Sequence, residues 1–132
     1  MHFEILSVAI ARAKADANIA SIVGSKVFNY VPKDEAPPYL RVQVVEAEEI
    51  EEKSDSLFSR VTLRFDFWTE SFGDKEVLEM IDYITAEFNK SPLVLTGGPT
   101  NINILRSNSV AFLEGDGLSR HGVVDFSLLM EG

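Results

Sequence analysis

The chain contains no cysteine, which excludes disulfides, zinc ribbons and thiol catalysis. Histidine is nearly absent too: His2 and His121 are the two in the sequence, and Trp68 is the one tryptophan. Basic residues are few. Lys and Arg number 12 against 21 Asp and Glu, a formal net charge of -9. A partner held through its phosphates needs clustered Lys and Arg, so specific nucleic-acid binding is not expected. An acidic surface instead repels DNA and lets it pass without sticking. No apolar run is long enough to span a bilayer. The start, Met1-His2-Phe3-Glu4-Ile5, lacks the basic region of a signal peptide. The expectation is a protein without a membrane partner, made in a cytoplasm. There is also no internal repeat, low-complexity tract or linker.

What remains is a sequence of 132 residues, the size of one domain, 1–132, with enough chain to bury its own core. Phe3, Leu6, Ile10 and Ala13 recur at helical spacing and predict a helix over 3–17; Ile19, Ile22 and Val23 add a further turn that Gly24 stops. Val27–Tyr30 reads as a short strand ended by Pro32. Pro37-Pro38 leads into a β-branched, well-buried strand over 39–45. The segment Ala47–Ser56 is acidic and without period, which predicts a mobile loop over about 47–56. Phe58–Thr69 alternates: Val61, Leu63, Phe65 and Phe67 face one way, and Arg60, Thr62, Arg64, Asp66 and Trp68 the other. Val77, Leu78, Ile81, Ile84 and Phe88 form one helical stripe, with Met80 and Tyr83 beside it as rim residues of the core or a second contact. Thr85, at the edge of the stripe, can bond back to the helix backbone. Leu93–Thr96 and Asn101–Leu105 flank Gly97-Gly98 as a candidate hairpin. Val110–Leu113 and Val123–Leu129 flank the strong turn signal Asp116-Gly117. Gly122 suits a place where a side chain would crowd the backbone. The order predicts an α+β fold, a mainly antiparallel sheet with two helices packed on one face.

Chemistry has little to stand on. His121 as a general base lacks a serine or cysteine in a nucleophile setting, so a turn or contact role is preferred. Glu46, Glu48, Glu49, Glu51, Glu52 and Asp55 lack the ligand spacing and central glycine of a calcium loop, and Gly97-Gly98-Pro99 has no phosphate-loop lysine. No catalytic, cofactor-binding or metal residue is assigned, and no enzyme activity or cofactor is expected. Trp68 is either covered by loops or the N-terminal helix, or anchors a subunit interface, where Trp and Arg are enriched. Arg64 and Asp66, on the same face, can pair with a neighbouring subunit or stay solvated, in which case they contribute little.

Several segments, taken in order, resemble the tail-completion or tail-terminator family of long-tailed bacteriophages, prophages and gene transfer agents. They are the helix end Ile19-Ala20-Ser21-Ile22-Val23-Gly24, the strand Lys26–Pro32, and Ala36-Pro37-Pro38-Tyr39-Leu40. After them come Phe65-Asp66-Phe67-Trp68-Thr69, the amphipathic helix, and Gly117-Leu118-Ser119-Arg120-His121-Gly122. The resemblance runs nearly the full length; the acidic Glu46–Glu52 segment is not expected throughout the family. It implies a structural virion protein at the tail end or neck, assembled in the bacterial host cytoplasm. Such a protein forms a ring, typically a hexamer, on the completed tail tube, stops its polymerisation, and offers a surface to the head connector. Its partners would be copies of itself, the tail tube protein and head connector proteins, with DNA passing through the lumen. Arg60, Arg64, Asp66, Trp68, Arg120 and His121 are then candidates for subunit or tube interfaces. Glu48, Glu49, Glu51 and Glu52 are candidates for a loop that orders on assembly. A head-completion protein is a near variant. The reading from a different class is a small intracellular α+β ligand-binding or regulatory module.

Overall fold

The computed structural model describes residues 2–51, 57–90, 93–95 and 101–131. Three helices and five strands run in the order α1 (His2–Ala15), α2 (Ala17–Val23), β1 (Val27–Phe28), β2 (Tyr39–Glu51), β3 (Leu57–Thr69), α3 (Lys75–Lys90), β4 (Asn101–Leu113) and β5 (Arg120–Glu131). The strands form one sheet in the order β1-β2-β3-β5-β4. All neighbours are antiparallel except β1, which lies parallel to β2 at Leu40 and Arg41. The α+β class is as the sequence pattern predicts.

The core lies between the helices and one face of the sheet. Along β3, Val61, Leu63, Phe65 and Phe67 are buried, and Val124, Phe126 and Leu128 of β5 continue that surface. Phe65, Phe88 and Phe126 meet as a triangle with centroids 4.6 to 5.8 Å apart, close enough for aromatic pairing to add to area burial. Gly122 sits where β5 passes beneath α3. A Cβ built there would lie 2.9 Å from Val77 Cγ2, so the glycine lets helix and strand approach.

Several predicted boundaries move. The single N-terminal helix is two. Asp16 leaves helical geometry (φ -76, ψ 122) and its carboxylate accepts from the Ile19 N–H, 2.8 Å away, an N-cap that starts α2. The buried stripe of α1 is Ile5, Ala9 and Ala13, whereas Phe3 is 79% exposed. Two alanines bring the helix close to the sheet, and the larger Leu6 and Ile10 pack only at its margin. In α3, Met80 is fully buried and Leu78 half exposed, the reverse of the predicted stripe; Thr85 does bond back to the Ile81 carbonyl, 2.8 Å away. Residues 47–51 are not loop: they extend β2 opposite Leu57–Val61, after a register shift between Val44 and Glu46. Glu46, Ala47 and Glu48 are exposed there, and acidic residues along an edge strand are a device that protects sheet edges. Glu52 and the rest of 52–56 lie outside the described residues. Leu93 and Leu95 are buried but form no strand, and Gly97-Gly98 falls outside the described residues. The two short strands expected at 101–105 and 110–113 are one, β4, because the polar Ser107-Asn108-Ser109 between them is exposed strand.

Candidate functional site: the open face of the sheet

The face of the sheet away from the helices carries the polar residues of the strands. On β2, Tyr39, Arg41 and Gln43 alternate with the buried Leu40 and Val42, so this strand is one-faced and not buried on both sides as its apolar content predicts. The register sets Arg41 across from Asp66 and Gln43 across from Arg64. On the other side of β3, Arg64 lies across from Asp125 and Trp68 across from His121. Phe112 of β4 then lies across from His121.

Asp66 is the centre of this face. It is only 2% exposed although it points away from the core. Its Oδ2 accepts from Arg41 Nη2 at 3.0 Å and Gln43 Nε2 at 3.1 Å, and its Oδ1 lies 2.8 Å from His121 Nε2. The other ring nitrogen of His121 lies 2.8 Å from Glu114 Oε1. An imidazolium can donate to both carboxylates at once, a neutral ring to one. Burial by itself pushes the Asp66 carboxyl up. The hydrogen bonds from His121 and Arg41, with the charge of Arg41 behind them, outweigh it and hold the group below the ordinary carboxylate value.

Aromatic rings roof the cluster. Trp68 stacks on His121 with centroids 4.3 Å apart and planes 24° apart. Tyr39 lies 5.2 Å from Trp68, and Phe112 4.8 Å from His121. The Arg41 guanidinium sits 5.0 Å from the Trp68 ring, within cation–π range. Beyond this cluster Arg64 grips Asp125 through two bonds of 2.8 and 3.0 Å, the bidentate geometry that holds both side chains in place. At the far end Arg60 stands across from Glu48. These two, with Glu46, Arg64 and Asp125, border a shallow depression of about 360 Å3.

The predicted contact residues therefore divide. Arg60, Arg64, Asp66, Trp68 and His121 share the open face. Arg120 does not: Nη1 reaches Asp74 Oδ1 at 2.7 Å, beside the start of α3. Neighbours along a strand point to opposite faces, and Arg120 and His121 both belong to strand β5, not to the turn. The turn is Glu114–Ser119, where Asp116 accepts from the backbone N–H groups of Ser119 and Leu118 at 2.8 Å. Asp66 and Arg64 both find partners within the chain, Arg41, Gln43 and His121 for the first and Asp125 for the second. Trp68 packs against Tyr39, Arg41 and His121, all residues of the sheet itself. Of the acidic candidates Glu48 is exposed in β2, Glu49 and Glu51 belong to the same strand, and their side chains lie outside the described residues, as does Glu52. Sequence reasoning missed Tyr39, Arg41, Gln43, Glu114 and Asp125. For the first three a signal was present, the strict alternation of 39, 41 and 43 with Leu40 and Val42. Glu114 and Asp125 needed the strand register.

Such a face can bind by shape and charge. Among the described residues no group of three or more His, Cys, Asp or Glu is arranged to hold a metal, and no buried side-chain N or O lacks a partner.

Known proteins supply the comparison. No curated protein matches the sequence. A chain in the virion of a native gene transfer agent particle superposes with a TM-score of 0.82 at 18% identity, over 98% of this chain and 96% of that one. The gp17 protein of bacteriophage SPP1 superposes with a TM-score of 0.65 at 16% identity, over 96% of this chain and 88% of its own. At such identities these likenesses speak for the fold alone. The sequence model of the family described as tail completion protein gp17 matches residues 9–131. That match spans nearly every element described above, from α1 to the end of β5, and the chain belongs to this family of virion tail proteins.

Proposed function

We propose that the protein is a structural ring component that caps the end of the tail tube, stops its polymerisation and joins the tail to the head connector. The observation that carries this reading is the family match over residues 9–131. The molecule is suited to the role. Among the described residues its helices cover one face of the sheet and leave the other, with the β4 edge and most of the β2 edge, open to neighbours. A head-to-tail contact repeated with a closing rotation makes a ring; a hexamer is the proposed number. The charge of -9 suits a lumen through which DNA passes without adhering. The role is one of assembly, not catalysis, and the open-face residues Arg60, Arg64, Trp68 and His121 are proposed contacts. Asp66 holds that face in shape from beneath.

The test is electron microscopy of particles from a producing strain that lacks this gene. Filled heads beside separate tails, above all tails of irregular or excessive length, are the expected result. Normal joined particles would overturn the proposal.

A further inference from the structure

The sheet has two edges of opposite character. Among the described residues nothing pairs with the outer side of β4 along its whole length, Asn101–Leu113. On the other edge β1 covers β2 only at Leu40 and Arg41, and Asn29 caps the Val42 carbonyl at 2.9 Å. Beyond Gln43, among the described residues, nothing pairs with the outer side of β2 either. Proteins protect long edges with charge, lysine or proline. The β2 edge obeys this rule with Glu46, Glu48, Glu49 and Glu51. The β4 edge does not: between Asn101 and Leu113 there is no acid, lysine or proline, and Arg106 is its one charge. It lies in an acid-free run over 88–113 in a chain with 21 acids. Seven consecutive residues, Ser107–Leu113, are exposed, Val110, Phe112 and Leu113 among them, so among the described residues this half of the strand is largely open on its faces and unpaired along its side.

We infer that the outer edge of β4 is the surface through which one copy of this chain pairs, strand to strand, with the free β2 edge of the next. The inference rests on the ring reading above and gives it a contact. Charge selects the pairing: β2 against β2 would oppose glutamates, whereas β4 brings to them an acid-free strand with Arg106. Direction agrees. β2 and β4 run antiparallel within the sheet, so a copy related by a rotation that keeps the strands upright sets β4 antiparallel to the neighbouring β2. The contact is heterologous, as a closed ring requires.

Backbone geometry supplies a sharp variant. The Glu114 N–H donates to the Ser119 carbonyl at 2.8 Å, and the register then runs without a shift from Leu113 to Arg106. Ladder bonds alternate, so Phe112, Val110 and Asn108 direct their backbone groups to β5, and Leu113, Ala111, Ser109 and Ser107 direct theirs outward. Ser109→Pro removes an outward N–H, which an edge strand tolerates. Val110→Pro removes a bond to β5 and serves as the control that damages folding.

The experiment places the photocrosslinker p-benzoylphenylalanine at Ser109 in a copy that complements the gene deletion, illuminates purified particles, and maps the linked peptides by mass spectrometry. The expected link joins residue 109 of one copy to residues 43–51 of another, and the S109P protein, melting within about 3 °C of wild type, fails to restore joined particles. Links from β4 to β4, links only to other proteins, no links, or full rescue by S109P would overturn the inference while the chain's presence in the particles leaves the ring reading standing. Absence of the chain from purified particles would overturn both.

Discussion

Phe65 and Asp66 are adjacent on β3, both buried, and they belong to two different kinds of interior. Phe65 points into the layer between sheet and helices, among Phe88, Phe126 and other apolar side chains. Asp66 points the other way and is buried by polar and aromatic neighbours, Arg41, Gln43, Trp68 and His121. The first interior is held by non-directional burial, in which many partners are acceptable if volume is kept. The second is held by directed bonds to one carboxylate, in which each donor depends on the acceptor being present and charged. The helix-side face is held by packing, and the open face by bonds that fix the shape of its surface.

The largest effect should come from the apolar side. Phe65→Ala removes a fully buried ring from the aromatic triangle and should cost about 3–5 kcal/mol, read as the midpoint shift in urea unfolding. Asp66→Ala should cost less, about 2–3 kcal/mol, because it strands the Arg41 and Gln43 donors and one His121 nitrogen but leaves the half-exposed Arg41 access to water. If the two substitutions cost the same, the distinction between the faces is one of chemistry and not of energy. If Asp66→Ala costs nothing, the polar cluster is ornament on a fold determined from the other side.

Acid sharpens the same comparison. The folded Asp66 carboxyl sits below its ordinary value of 3.8. Its stabilising contribution is therefore complete above that value and is lost as the pH falls through the depressed folded value. The stability difference between wild type and Asp66→Asn should thus shrink below about pH 4, whereas the Phe65→Ala difference should not contain this component. Urea titrations at several acid pH values separate the two. Asp116, held below 3.8 by the Ser119 and Leu118 backbone N–H groups and the Ser119 hydroxyl, loses its contribution over the same acid window in both variants and so cancels from the difference.

The apolar interior was far more legible in the sequence than the polar one. The alternation of Val61, Leu63, Phe65 and Phe67 reads directly as a half-buried strand, because burial repeats with the period of the backbone. The stripe of α3 failed only at its margin, where Met80 replaced Leu78; the flexible thioether fills a place that shape and not hydropathy defines. The open face is different. Its parts come from four strands, and which acid meets which base depends on register, which a single sequence does not display. From the sequence, Asp66 pairs with a neighbouring subunit or stays solvated, because carboxylates are rarely buried, and nothing in the sequence links Glu114 to His121. The acidic segment after Val45 misled for a related reason. A strand with a free edge and exposed side chains has no apolar alternation to announce it, and charge there serves to prevent wrong pairing.

Between the two interiors stands Gly122, whose missing side chain lets α3 rest on β5, one residue from His121 on the opposite face. Gly122→Ala puts a Cβ 2.9 Å from Val77 Cγ2 and should cost about 1–3 kcal/mol through overpacking. The paired variant Gly122→Ala with Val77→Ala, which trades that clash for a smaller side chain, should recover part of the loss. No recovery would mean that the strain lies in the backbone of β5 and is transmitted to the open face.

The smallest effect is expected at Arg120. Its bond to Asp74 is short, but Asp74 is largely exposed, and solvated ion pairs contribute less than about 1 kcal/mol. Arg120→Ala should therefore leave the urea midpoint almost unchanged, while its neighbour His121→Ala, which unties Asp66 and Glu114 at once, should shift it clearly. The two residues look equivalent in the sequence, side by side ahead of a glycine. If the fold makes one an exposed link to the helix side and the other a buried tie on the open face, their stability effects must separate. An Arg120→Ala loss as large as that of His121→Ala would mean that the junction of Arg120 with the start of α3 is as structurally committed as the Asp66 cluster.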